Sequence, residues 1–356
     1  MRRRYAVLAP ERFADEAKTA HGVIAYGEDE VVAVIDPSLA GKRVLEVLPH
    51  LRRDAPIVGS VAEALAYRPT AILIGTAPIG GALPPDWRSA ILEAIAAKLE
   101  IVSGLHDMLD ADPEFAAAAA AAGTTIWDVR EPPEVPIFSG AVYDVAAPVV
   151  LLVGNDCAAG KMTAALELVS AAKAAGRNAR FVPTGQTGIM IAGWGISIDR
   201  VIADFAPGAA EQLVLYAAHE GADLIVVEGQ GAINHPAYAP VTLALMYGSA
   251  PDALVLVYEV RKTHVEGFAT PVLPYRELIR LHEALLATVK PAPVAGIALN
   301  TRGLSEEQAR AEIERARAET LLPADDVVRF GPQRLYGEIV QRIAKQRPLA
   351  DPQFRG

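Results

Sequence analysis

Along the whole 356-residue chain, hydrophobic positions form short runs separated by segments of helical spacing. In the amino-terminal third, residues 31–35, 70–74 and 99–102 are apolar runs with the length and composition of buried strands. Between them, Ser60 stands three residues ahead of Glu63, the pattern of a capping box that opens a short helix. Trp87, Ile91, Leu92 and Ile95 repeat at helical spacing within 84–98. Asp112, Pro113 and Glu114, followed by Phe115, seven alanines and Gly123, predict another helix, with an N-cap, a proline in its first turn and a terminal glycine. Further on, 149–153, 179–182, 222–227, 253–257 and 294–299 predict strands, and 209–219, 275–288, 305–319 and the stretch after Gln333 predict helices. Such alternation builds parallel sheets covered by helices.

Pro132, Pro133, Pro136 and Pro148 exclude regular helix from 129–148, which divides the chain. The predicted organisation is α/β throughout: a Rossmann-like open-sheet domain (1–130), a proline-rich linker (131–147) and a doubly wound P-loop NTPase-like domain (148–356). In the first domain, Asp36 and the glycine-rich loop 75–81 follow strands, where open sheets bind ligands. No G-x-G-x-x-G fingerprint accompanies them, so an accessory or interface role is expected rather than a nicotinamide site.

The strand at 149–153 runs into Gly154, Asn155, Asp156, Cys157, Ala158, Ala159, Gly160, Lys161, Met162 and Thr163, and then into a helical segment. Strand, glycine-bounded loop and helix make a phosphate cradle, in which backbone N–H groups and the helix N-terminus face a polyanion and Lys161 adds a point charge. Five residues rather than four separate the glycines, and Met162 stands where Ser or Thr would hold magnesium. Thr163 lies roughly 100° further round the helix. Phosphate or pyrophosphate binding is therefore expected, and nucleotide hydrolysis does not follow from it.

A hydrophobic content of 52% suffices for large cores. A net charge of −10, with no basic run after residue 4, argues against a nucleic-acid partner and for a small ligand. The sequence has no apolar run of about 18 residues that would span a membrane. Its basic start precedes too short an apolar segment for a secretory signal, so a cytoplasmic protein is expected. Cys157 is the only cysteine, which rules out an intrachain disulfide or a cysteine-built metal site, and no metal ligands are assigned.

Three further strand-end loops carry candidate chemistry. Thr184, Gly185, Gln186, Thr187 and Gly188 offer hydroxyls, an amide and N–H groups without charge, suited to a substrate carboxylate; an ordinary turn is the alternative. Trp194, between two glycines, is either a flat ligand wall or a core residue. Glu228, directly after a strand, can hold a metal, bind an ammonium or remove a proton, and His235 brings an imidazole nearby. Arg261 or Lys262 could complement a carboxylate or a second phosphate. Asn300, Thr301 and Arg302 stand where P-loop proteins often contact a base.

The five-spaced cradle, the 184–188 loop, and Glu228-Gly229-Gln230-Gly231 with Asn234-His235-Pro236 together resemble a P-loop family long catalogued as of unknown function. Its DgcN-type members are D-glutamate N-acetyltransferases that use acetyl-CoA. The resemblance covers nearly the whole chain, including the Rossmann-like domain. More distantly, the chain is similar to dethiobiotin synthetase, an ATP-dependent enzyme whose cradle also has five residues between its glycines but a hydroxyl where Met162 stands. The missing hydroxyl favours acyl transfer, because the pyrophosphate of coenzyme A needs only backbone donors and Lys161. The resemblance then implies acetyl-CoA in 154–163, carboxylate binding by 184–188 and Arg261 or Lys262, and Glu228 or His235 as base. The alternatives are an ATP-dependent ligase or kinase using magnesium, and a non-enzymatic nucleotide-binding module. The expected partners are a small amino-acid substrate and further copies of the chain, with neither nucleic acid nor membrane.

Overall fold

The first surprise is at the amino terminus. Arg4–Leu8, whose apolar residues were too few for a secretory signal, is a strand (β1) in the middle of a sheet, with Tyr5, Ala6, Val7 and Leu8 fully buried. The computed structural model describes residues 2–76 and 82–346, so positions 77–81 of the glycine-rich loop lie outside the described residues. The chain forms two compact units: Met1–Pro133 with Gly185–Arg200, and Glu134–Thr184 with Val201–Gly356.

In the first unit the elements are β1, α1 (Lys18–Tyr26), β2 (Glu30–Ile35), α2 (Val44–Val47), β3 (Ile57–Val58), α3 (Val61–Ala64), β4 (Ala71–Ile74), α4 (Arg88–Ala96), β5 (Glu100–Ser103), α5 (Pro113–Ala122) and β6 (Ile126–Asp128). The strands pair in parallel in the order β3-β2-β1-β4-β5-β6, the Rossmann arrangement. Local signals act as the sequence predicts. Asp112 accepts from the N–H groups of Glu114 and Phe115, and Gly123 closes α5 in the left-handed region. Ser60 caps α3 through the Glu63 N–H, but the Glu63 carboxylate bonds the Gly59 N–H instead of completing the box. The strand-end Asp36 is buried and accepts from Glu11 N–H, Phe13 N–H, Ser38 N–H and Ser38 Oγ–H, so its oxygens organise the adjoining turns.

The second unit contains β7 (Val149–Gly154), α6 (Lys161–Ala174), β8 (Ala179–Val182), α8 (Ala206–His219), β9 (Leu224–Val227), α9 (Ala239–Gly248), β10 (Ala253–Glu259), α10 (Tyr275–Leu286), β11 (Val294–Asn300), α11 (Glu306–Thr320), β12 (Ala324–Asp325) and α12 (Gln333–Gln346); the intervening α7 (Gln186–Ala192) belongs to the first unit. The sheet is parallel, in the order β12-β11-β10-β7-β9-β8. Every residue of β7 is buried, and the strand lies between β10 and β9, so the cradle at its carboxyl end is flanked by loops from both neighbours. No helix among the described residues is long and apolar enough to cross a membrane.

The proline-rich stretch contains one short 3₁₀ turn, Ala141–Asp144, and is fastened to α8. Buried Glu211 accepts from Ser139 N–H (2.7 Å), Ser139 Oγ–H (3.0 Å) and Val142 N–H (3.2 Å). A Cβ on Gly208 would stand 2.0 Å from the Pro136 carbonyl, so only glycine permits this approach.

α10 buries His282 completely: Nδ1–H donates to the Leu278 carbonyl (2.7 Å), while Nε2 has no partner among the described residues. Burial pushes the imidazole down from 6.5 to about 4. The unfolded chain therefore takes up a proton near 6.5 that the folded chain refuses until about 4, and stability falls as pH drops through that window. The loss from this group is about 3 kcal/mol. In urea denaturation at pH 7 and pH 4, His282→Leu is expected to shrink the acid-induced loss by about that amount; an unchanged difference contradicts the assignment.

Candidate active site

The cradle is built as the sequence pattern requires, though its two glycines work differently. Gly160 has φ +111°, a left-handed conformation that turns the chain into α6, and as the N-cap residue it offers no side chain to the first turn of that helix. Gly154 is the last residue of β7, and a Cβ there would lie 3.1 Å from both Cδ and Nζ of Lys161. Its role is to let the lysine lie across the strand end. Ala158 also has positive φ, +52°, which places backbone strain within the cradle itself.

Lys161 is buried, and its ammonium donates to two neutral carbonyls, Asp156 O and Gly231 O, each at 2.8 Å. Burial pushes its pKa down to about 8, against the opposing pull of Cys157, Asp156 and Glu228. A buried cation whose two hydrogen bonds go to uncharged oxygens is matched to a polyanion in the cradle.

The loop after β9 is shaped by close backbone approach. A Cβ on Gly229 would fall 1.6 Å from the Leu152 carbonyl, and one on Gly231 (φ +59°) would fall 2.2 Å from the Tyr238 carbonyl. Glu228 is buried at 6% exposure, and its Oε2 accepts the Thr184 N–H at 2.9 Å. Thr184 Oγ–H donates to the Glu228 carbonyl (3.0 Å), and the Gln230 amide donates to the Thr184 carbonyl. Glu228 and Thr184 are thus brought together at the ends of adjacent strands. The rest of the uncharged loop has another fate. Gly185 precedes α7, and Gln186, Thr187 and Gly188 lie in that helix, which packs in the first unit: Thr187 Oγ1 meets Thr19 Oγ1 at 3.1 Å, and a Cβ on Gly104 would lie 2.9 Å from Gln186 Cγ. Trp194 is half-buried in the same segment.

Lys262 is turned onto the cradle. Its ammonium donates to Asp156 Oδ2 (2.5 Å) and to the Cys157 carbonyl (3.2 Å). Burial opposes its charge, but the Asp156 carboxylate prevails and holds the lysine above its ordinary range. Asp156 is the hub that the sequence did not reveal: fully buried, it also accepts the N–H groups of Cys157 (2.7 Å) and Glu266 (2.9 Å), tying the loop after β10 to the cradle. Nothing in the spacing signals a bond across 106 residues. Arg261 is exposed and lies against Gly303.

His235 is buried, with both ring nitrogens engaged. Nδ1 lies 3.1 Å from the Ala237 nitrogen and 3.3 Å from the Tyr238 nitrogen and accepts from their N–H groups, which leaves the ring proton on Nε2, donated to the Glu266 carbonyl at 3.0 Å. Asp156, Cys157 and His235 offer ligand atoms within 4.8 Å of one another. In this tautomer His235 presents an N–H there rather than a lone pair, so it suits neither metal ligation nor proton abstraction. Burial also pushes the Cys157 thiol up, which suits a packed residue better than a nucleophile.

Residues 136–336 match the family model described as "Domain of unknown function (DUF1611_C) P-loop domain", and residues 37–132 match "Domain of unknown function (DUF1611_N) Rossmann-like domain". The chain belongs to the DUF1611 family. It is 38% identical over 330 residues to a D-glutamate N-acetyltransferase of Tritonibacter scottomollicae, covering 92% of this chain and 94% of that one. It is also 38% identical over 274 residues to a protein of the same name from a Pseudoalteromonas species, covering 76% and 82%. A crystal structure of a DUF1611 protein from Anabaena variabilis is similar with a TM-score of 0.90 at 40% identity, covering 95% of this chain and 99% of that one. The resemblance read from the cradle and its flanking loops, and the fold class it implied, are both borne out.

Proposed function

We propose that this DUF1611 protein is an N-acetyltransferase that moves an acetyl group from acetyl-CoA to the amine of an amino acid, D-glutamate. The observation that carries the reading is a phosphate cradle with a buried lysine and no hydroxyl at position 162, beside a strand-end carboxylate. The names of the two relatives support the reaction and its acceptor.

The cradle fits the donor, since the N-cap of α6 is a glycine with no side chain of its own to offer the first turn and Lys161 is a buried cation bonded to neutral oxygens. Residues 154–163 would hold the coenzyme's diphosphate, and the bound coenzyme supplies an acyl carbon activated as a thioester. Glu228 takes the proton that the acceptor's ammonium must lose to become a nucleophile, with Oε2 held by the Thr184 N–H. In the net change an N–C bond forms, the C–S bond breaks, and the proton balance is met at the carboxylate and the departing thiol. Backbone N–H groups of the cradle and of the Thr184 turn supply donors for developing negative charge. Arg261, exposed and, among the described residues, without the carboxylate contact that occupies Lys262, is the better cation for the acceptor's carboxylates.

The test is release of free thiol from acetyl-CoA, dependent on D-glutamate, together with appearance of the N-acetyl product. ADP release from magnesium-ATP under the same conditions, without thiol release, would establish the ligase or kinase instead. Binding of nucleotide with turnover of neither would establish a regulatory module. Because Met162 offers no hydroxyl to a magnesium ion, acetyl transfer is expected to proceed at an unchanged rate in excess EDTA; loss of activity that magnesium restores would overturn the assignment of the donor.

A further inference from the structure

Two large aromatic side chains stand exposed beside the cradle: Tyr238 at 50% and Phe268 at 44%. Both are set against the buried His235 ring, Tyr238 tilted at 4.6 Å between centroids and Phe268 edge-on at 5.2 Å. The imidazole is itself fixed by three hydrogen bonds and lies 4.0 Å from Asp156 of the cradle. Tyr238 comes from the loop after β9 and Phe268 from the loop after β10. The second of these loops is pinned to Asp156 through Glu266 N–H and Lys262. Two rings are therefore held by a rigid scaffold, with much of their apolar surface facing water, next to a site shaped for phosphate.

Two of the three residues in the turn where P-loop proteins often meet a base are otherwise occupied. Asn300 donates to the Ala159 carbonyl (3.0 Å) and accepts from Arg302 N–H (3.2 Å). Thr301 is fully buried, with its N–H and hydroxyl both donated to Asp326 Oδ2 (3.1 and 2.5 Å). Asn300 and Thr301 have few donors left with which to read a base, and the Arg302 side chain is exposed.

We propose that Tyr238 and Phe268 form an aromatic shelf that stacks the planar base of an adenine nucleotide whose phosphates lie in the cradle. The shelf deepens the reading above, resting on it only for the identity of the ligand as coenzyme A. A stacked base is sequence- and substituent-tolerant, because every base has a π-face; a flexible amide chain gains much less from two fixed rings.

The test is calorimetric titration of the wild type, Tyr238→Ala, Phe268→Ala and the double variant with coenzyme A, ADP and inorganic pyrophosphate. The double variant is expected to lose on the order of 10- to 100-fold in affinity for coenzyme A and ADP, with pyrophosphate unchanged and Tyr238→Phe close to wild type. Where an alanine variant does not fold, Tyr238→Leu and Phe268→Leu keep apolar volume without the π-face and are read in the same way. Wild-type affinity in the ring variants, equal weakening for all three probes, or a wild type that binds pyrophosphate as tightly as ADP would each overturn the shelf. If the wild type binds ADP but not coenzyme A, and the ring variants weaken ADP, the shelf stands and the acetyl-CoA reading falls.

Discussion

Glu228→Gln is expected to lower the turnover number by roughly 10²–10⁴-fold while leaving coenzyme affinity nearly unchanged. The amide keeps the size of the carboxyl group, and its oxygen can still accept the Thr184 N–H that Oε2 accepts in the wild type, so the junction of β8 and β9 stays closed. What it cannot do is take a proton from an ammonium. His235→Asn is the informative companion. The imidazole Nδ1 serves as an acceptor for the Ala237 and Tyr238 N–H groups, a capping task that asparagine performs well, so the turnover number should fall little, while the lost ring contacts with Tyr238 and Phe268 should show in coenzyme affinity. Steady-state kinetics on both variants separate the roles. Near-normal turnover in the Glu228→Gln enzyme, beside a collapsed His235→Asn enzyme, would transfer the proton to the imidazole.

Lys161→Met should separate binding from stability. Removing a charged donor to phosphate is expected to weaken coenzyme A binding by about 1.5–3 kcal/mol. Stability of the ligand-free protein should move the other way, or hold, even though Asp156 O and Gly231 O each lose a donor. The reason is burial, which lowers the lysine from 10.5 to about 8. Between those values the unfolded chain carries a proton that the folded chain has released, so wild-type stability falls as pH drops from 10.5 to 8 and is flat below. The shift corresponds to about 3 kcal/mol that the buried charge costs at neutral pH, which the Lys161→Met variant recovers less the loss at the two carbonyls. Urea denaturation at pH 8 and pH 10 should show a rise in the wild type that the variant lacks. Ligand affinity in the wild type should weaken as pH rises through about 8, when the ammonium is lost. A variant with the wild-type pH slope would remove the buried charge from this account.

The sequence by itself determined most of the architecture. The apolar runs that became β2, β4, β5, β7, β9, β10 and β11 lie inside parallel sheets, so they read as near-continuous hydrophobic stretches that need no tertiary information. Helix α5 announced itself through Asp112 and Gly123, because caps act within one turn of the chain. The cradle was legible for the same reason: strand, glycines, lysine and helix are contiguous. Tertiary structure decided whatever depends on distant partners. β1 became the centre of its sheet because β2 and β4 flank it, which five residues of sequence cannot convey. The uncharged loop after β8 divided at Thr184, since the apolar face of 189–191 is buried and α7 joins the first unit. Lys262 became a strut rather than a free cation because Asp156, 106 residues earlier, is buried and needs a counter-charge. His235 became a cap because backbone N–H groups converge on Nδ1, and the direction of a ring lone pair is set by the fold around it.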